Sequence, residues 1–199
     1  MSKKLDRTMG IVFALATVLF IVLFLTNDPF FNWAFARHHN VLSWYIRPLF
    51  IIPIIIFAFK KSLTGIFASI FALFSSMFWF PAPQISTPQV QAFLAYEMEY
   101  LKGAWTAPKI FMSLAVPIFF LALIMAAWQR NWKLLLAVVV AAAVLKVLWS
   151  VIFSGDAGLS ILKPAITGLV LCVAGIAYYK TQRIDKKKAI DKNQRIDKN

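Results

Sequence analysis

One cysteine, Cys172, and two histidines, His38 and His39, are all that 199 residues supply of the thiol or imidazole ligands. A lone thiol excludes an intramolecular disulfide, and its place in an apolar run says nothing of redox compartment. Two adjacent histidines point about 100° apart on a helix and cannot chelate one ion as a pair. Neither falls inside an apolar run, which argues against paired-histidine haem ligation in a helical bundle. A Gly-rich phosphate loop, an HExxH helix and a GxSxG elbow are also missing. No cofactor is expected and no metal: a site from one histidine, Glu97 and Asp28 has no ligand spacing to recommend it. Acidic residues are scarce, eight against 21 Lys and Arg.

Polar surface is the largest lack. The chain is 61% hydrophobic with a mean hydropathy of +0.74, more apolar surface than a soluble domain of this size can hide. The expected solvent is lipid, and the net charge of +13 reads as span-flanking charge rather than as a nucleic-acid signal. The expected class is an all-α polytopic membrane protein. Runs approaching the roughly 20 residues needed to cross a bilayer predict six spans, at about 9–26, 41–59, 63–80, 108–128, 133–153 and 158–178. The start, MSKKLDRTMGIVFALATVLFIVLFLT, has the charged beginning of a signal peptide. Its apolar part is too long and no small-x-small site follows, so it reads as an uncleaved first span.

Charge sets the orientation. Lys3, Lys4, Arg7, Lys60, Lys61, Arg130, Lys133, Lys180, Arg183 and the tail's Lys186, Lys187, Lys188, Lys192, Arg195 and Lys198 fall on one side, fifteen of the 21 basic residues. The positive-inside rule then places both termini in the cytoplasm of a multi-pass plasma-membrane protein, the inner membrane if the cell is Gram-negative. The segment 1–179 reads as one transmembrane domain. Residues 180–199 repeat Ile-Asp-Lys every six positions, a period that buries nothing, and read as a disordered basic tail, with anionic-lipid binding as the alternative. Trp33, Trp44, Trp79, Trp105 and Trp149 map to the outer interface and Trp128 and Trp132 to the inner, an anchoring belt. Gly65, Ser69, Ala72 and Ser76 make a small-residue stripe that admits a neighbouring helix, and Pro48, Pro53, Pro117 and Pro164 lie within spans.

Two outer loops predict short amphipathic helices lying at the membrane surface. In STPQVQAFLAYEMEYLKG, Thr87 suits a cap, Pro88 a first residue and Gly103 an end; in NDPFFNWAFARHHN, Asp28 and Pro29 repeat the arrangement with Asn40 as the stop. On a wheel of about 100° per residue, Val90, Phe93, Leu94, Met98 and Leu101 share one face, with Glu97 near its middle and Glu99 nearly opposite. Glu97 thus faces the bundle, where a carboxylate must pair, bind a cation or take up a proton; Glu99 reads as solvated.

Arg47, Lys146 and Lys163 lie inside spans at about 7–11 Å from the outer interface by helical rise. Snorkelling to the headgroups is open to each. Polar companions at helical spacing (Ser43 before Arg47, Ser150 after Lys146, Ser160 and Thr167 around Lys163, Ser113 after Lys109) instead suggest one polar vestibule open outward. The candidate ligand residues are therefore Arg47, Lys146, Lys163, Glu97 and Lys109, with Asp28, His38 and Asp156 at the rim. A site so positive suits an anionic small molecule or a lipid headgroup, Arg47 by a bidentate contact and the lysines as point charges. The alternative is a non-catalytic scaffold or assembly factor whose charges form a structural network. A buried Lys146 or Lys163 would serve as base or nucleophile in an enzyme, but no motif marks a catalytic residue, and enzyme status stays open. Below Lys146 and Thr167 the spans are apolar, so a path through a monomer is poorly supported, though a dimer could supply one. Expected partners are membrane lipids and an anion from outside, with a homo-oligomer left open and no nucleic acid.

Overall fold

The computed structural model describes the backbone of residues 2–196 and the side chains as far as Asp185. The last basic side chains, from Lys186 on, lie outside the described residues. The chain is 86% helical and has no strand among the described residues. Its elements are α1 (Lys3–Thr26), α2 (Asp28–His38), α3 (Leu42–Ile46), a 3-10 turn Arg47–Phe50, α4 (Ile51–Phe59), α5 (Leu63–Ser75) with a 3-10 turn Ser76–Phe78, α6 (Pro88–Lys102), α7 (Ala107–Ser113), α8 (Ala115–Trp128), α9 (Trp132–Ser154), a 3-10 turn Gly155–Ile161, and α10 (Leu162–Ile196). Among the described residues four helical runs, Lys3–Thr26, Leu42–Phe59, Ala107–Trp128 and Trp132–Asp185, are long and apolar enough to cross a membrane, and Leu63–Phe78 is a shorter apolar helix. The protein is membrane-embedded.

The helix starts follow from side-chain caps. Ser2, Asn27, Ser62, Thr87 and Asn131 each accept a hydrogen bond from an amide three residues on, which satisfies one orphan donor of the first turn. The cap of α2 is Asn27, one residue before the expected Asp28: the side chain must precede the first helical residue, and Asp28 already occupies that position. Prolines shape the interiors. Pro53 removes the amide that would bond the Leu49 carbonyl and Pro48 the one for Trp44, and between them the run relaxes into the 3-10 turn Arg47–Phe50. Pro117 does the same to Ser113, where α7 gives way to α8.

Two turns at one end share a design. After α4, Lys61 takes φ 57° while its amide bonds Ala58 and that of Ser62 bonds Phe57; after α8, Arg130 takes φ 57° while its amide bonds Ala127 and that of Asn131 bonds Ala126. Each is a Schellman ending with a basic residue in the left-handed position and the next helix's cap immediately after it. Asp6, near the start of α1, joins this end by accepting from the Ser62 hydroxyl (2.7 Å) and the Leu63 amide (2.9 Å). Phe59 packs there against Trp132 (4.7 Å, tilted) and stacks on Tyr179 (5.3 Å). Since Trp132 begins α9 and Tyr179 lies midway along α10, the run 132–185 is a hairpin folded back at Gly155, whose φ of +53° suits glycine.

Two apolar cores result. One, at the basic end, packs Ile54, Phe59, Ile66, Leu123, Leu135 and Cys172 from five helices. The other, at the far end, packs Phe31 and Phe35 of α2, Trp44 of α3 and Val90, Phe93 and Leu94 of α6. Trp44 therefore belongs to the core and not to the belt: its indole N–H donates to the His38 carbonyl (3.0 Å), a partner only a buried ring can reach here. Trp33, Trp79 and Trp105 do stand exposed. Close approaches use small residues: a Cβ at Gly10 would lie 2.8 Å from that of Leu63, and one at Gly65 would enter the Phe57 ring. The backbone of α10 stays helical to Ile196, where the sequence reading expects disorder from residue 180. No Gly or Pro follows Gly175, and Lys, Arg, Gln and Ala favour helix.

Candidate functional site

The far end of the bundle gathers charges that the chain spreads over more than 100 positions. α6 runs across this end with Val90, Phe93 and Leu94 buried beneath it, and the same 3.6-residue stripe brings Glu97 inward while Glu99 stays exposed. Both oxygens of Glu97 are taken. Oε2 lies 3.3 Å from His38 Nε2 and Oε1 lies 3.5 Å from Lys146 Nζ. The acid thus links α6 to α2 and to α9. Lys146 keeps 54% of its side chain exposed and Glu97 29%, whereas His38 is 4% exposed.

His38 is the centre of the cluster and not its rim. Its other ring nitrogen, Nδ1, lies 3.2 Å from the hydroxyl of Ser43, which is fully buried and also 2.9 Å from the Asn40 carbonyl. Arg47, one turn after Ser43, brings its charge to bear on both His38 and Glu97. Burial, then the positive charge of Arg47, pushes the imidazole down to about 4 against the pull of Glu97. At neutral pH the ring is uncharged, with Nε2–H donating to Glu97. Burial tends to raise the Glu97 carboxyl, but Lys146, the His38 hydrogen bond and Arg47 outweigh it and hold the group below the usual carboxylate range. One carboxylate therefore stands among two cations and a neutral imidazole. The order Ser43–His38–Glu97 has the layout of a hydrolytic triad, yet a hydroxyl with no exposed surface cannot meet a substrate, so no nucleophile is assigned.

Two polar atoms here are buried and without a hydrogen-bond partner among the described residues: Arg47 Nε and Ser150 Oγ. Ser150, 2% exposed, lies one turn from Lys146 on α9, packed where Gly158 of the 3-10 turn comes close to its carbonyl. Orphaned buried donors are uncommon, and both belong to residues adjoining the Glu97 cluster.

The other candidates stand apart. Lys163 is exposed, because Ile161, Pro164, Gly168 and Cys172 set the buried side at this stretch and turn it away. Lys109 is buried but donates to the Gly103 carbonyl (2.8 Å) and lies between the rings of Trp105 (4.4 Å) and Tyr100 (5.0 Å), tying α7 to the end of α6. Asp28 pairs with Lys102, whose ammonium also covers the Phe31 ring, a surface latch between α2 and α6. Asp156 is exposed in its turn. The groove between α2 and α6, lined by Phe35, Leu94, Met98 and His39, includes neither Glu97 nor Arg47. No group of three or more His, Cys, Asp or Glu that could hold a metal occurs among the described residues.

The sequence points to Arg47, Lys146 and Glu97 through burial and spacing. It has no signal for the depth of His38, which arises only when α2 folds back over α3. Comparison with protein-family models, with curated proteins and with solved structures finds no match for this chain.

Proposed function

We propose that this is a six-span protein of the plasma membrane, both termini cytoplasmic, that binds an anionic small molecule or lipid headgroup at its outward end. Six spans are supported by the hairpin fold of 132–185 and by α5, which runs between the two ends although it is short. The orientation is supported by the gathering of Asp6, Lys61, Arg130 and Arg183 around Ser62 and Phe59 at one end, with the positive-inside rule naming that end. α2 and α6 then cover the outer mouth.

The observation that carries the binding reading is the excess of positive charge: the charges of Arg47 and Lys146 both act on Glu97, a single carboxylate whose two oxygens are already engaged, and Lys146 keeps 54% of its side chain exposed. Arginine matches the fork of phosphate, sulfate or carboxylate oxygens, and Lys146 is reachable from outside. Binding is favoured over passage, since the inner core is closed by Ile54, Leu123 and Leu135, all with no exposed surface. The second reading, a scaffold with a structural charge network, is favoured by the two Glu97 contacts, which already clamp α6 to its neighbours.

The test is thermal unfolding of the detergent-solubilised protein titrated with sulfate or with short-chain phosphatidylglycerol. A ligand at a hundredfold its dissociation constant adds about 2.7 kcal/mol, which at this chain length moves the midpoint by roughly 5–10 °C. We expect such a rise for one or both probes, reduced at least by half in Lys146→Met. Flat midpoints for both probes in the unaltered protein contradict the reading.

A further inference from the structure

The hydroxyl of Ser43 has one proton and two acceptors in reach, the Asn40 carbonyl at 2.9 Å and His38 Nδ1 at 3.2 Å. With the hydroxyl turned to Nδ1, the imidazole is neutral and its single N–H, on Nε2, faces Glu97 Oε2. With the hydroxyl turned to Asn40, its oxygen is free to accept, and Nδ1 can carry a second proton and donate to it. Both states of the ring are fully hydrogen-bonded, and they differ by one proton on Nδ1 and a rotation about the Ser43 Cβ–Oγ bond. A buried histidine with both its neutral and its charged form provided for is a proton-holding site rather than a packing residue.

The charged groups that face this ring decide which state is held. Glu97 from α6 favours the added proton; Arg47, at the end of α3, and Lys146 from α9 oppose it. Ser43 and Asn40 complete its polar surroundings, and the remaining ring neighbours, Phe35 and Trp44, carry no charge. The two opposing cations are the groups assigned above to the anion. An oxyanion on them offsets the positive charge that adds to burial in keeping the imidazole neutral, and Glu97 is then opposed by burial alone.

Resting on the anion-binding reading, we infer that the site takes its oxyanion together with one proton, the anion going to Arg47 and Lys146 and the proton to His38 Nδ1. The proton comes from solvent, no bond to the ligand is made or broken, and the protein's own charge rises by one positive unit for each anion bound. By linkage, the affinity strengthens as pH falls, by at most about tenfold per pH unit for a single proton, and the gain ends below the pKa of the ring in the unliganded protein. The ring's low value without ligand agrees with the neutral resting state.

Isothermal titration of the solubilised protein with sulfate and, separately, with dihexanoyl phosphatidylglycerol tests this, because neither probe titrates between pH 5 and 8. Each titration is run at pH 6 in two buffers of different ionisation enthalpy, so that the difference in heat gives the protons taken up. We expect an uptake between about 0.3 and 1 proton per anion with whichever probe binds, and a dissociation constant that rises between pH 5.5 and 7.5. Sulfate binding marks a free oxyanion as the ligand; binding of phosphatidylglycerol alone marks a headgroup. In His38→Asn the uptake is expected to vanish and the pH dependence to flatten; Ser43→Ala, which leaves the ring but removes the rotor, is expected to reduce uptake as well. Binding with zero uptake overturns the coupling and leaves the anion site standing. Uptake that persists unchanged in His38→Asn overturns the assignment to this residue. No binding of either probe removes the anion site and the coupling with it.

Discussion

Glu97 and Glu99 stand two residues apart in sequence and in different surroundings. Glu97 holds His38 and Lys146, whereas Glu99 faces out. Loss of Glu97 leaves Lys146 and Arg47 beside His38 with no counter-charge, and breaking a half-buried pair of this kind costs about 2 kcal/mol or more. An exposed glutamate is worth within about 0.5 kcal/mol. Thermal unfolding of Glu97→Gln should therefore fall several degrees below that of Glu99→Gln, and equal midpoints would remove the distinction. The wheel position of Glu97 was legible from the spacing of Val90, Phe93 and Leu94, because helical phase survives in sequence. The partner of its second oxygen was not. His38 looks like an interfacial residue beside Arg37 until α2 packs back over Trp44, and that fold-back depends on contacts between Phe31, Phe35 and α6 that no local pattern encodes.

Among the elements, the paired turns at the basic end show how composition becomes connectivity. Phe59-Lys60-Lys61-Ser62 and Trp128-Gln129-Arg130-Asn131 have the same plan: helix end, basic residue in the left-handed region, cap of the next helix. Losing a cap costs about 1 kcal/mol. Ser62 also donates to Asp6 of α1, so Ser62→Ala should destabilise more than Asn131→Ala, a difference that the unfolding midpoints of the two variants measure; the reverse order would mean that the Asp6 contact contributes nothing. Sequence alone places caps well and kinks less well. Pro48 and Pro53 announce a break, but that it becomes a 3-10 turn starting at Arg47 follows from two missing amides acting together. Lys163 faces away from the cluster for a similar reason: depth along a helix is readable from residue count, while the rotation of α10 is fixed by Gly168 lying against Pro48.

At the scale of the whole molecule, two cores with different partners divide the labour. The apolar core at the basic end holds the helices together, and the aromatic core at the other end seats α2 and α6 around the charge cluster. Hydrophobicity made the membrane class plain from sequence, and the basic residues proposed an orientation. Thiol labelling in intact cells tests that orientation, since the one native thiol, Cys172, is 1% exposed and gives little background. Ile85→Cys, in a loop position 89% exposed, should react with an impermeant maleimide, and Lys61→Cys only after permeabilisation; the opposite pattern would invert the protein.

The most direct test of the central claim is the unfolding midpoint of Arg47→Met, with and without anion. If Arg47 is kept for a ligand, the variant unfolds in anion-poor buffer no earlier than the unaltered protein, since an apolar side chain replaces a half-buried cation whose buried Nε has no partner among the described residues, while Glu97 keeps His38 and Lys146, and it shows no rise with sulfate or phosphatidylglycerol. If Arg47→Met unfolds several degrees earlier in anion-poor buffer and still responds to the anion, the guanidinium is a structural member of the bundle and the anion site is not here.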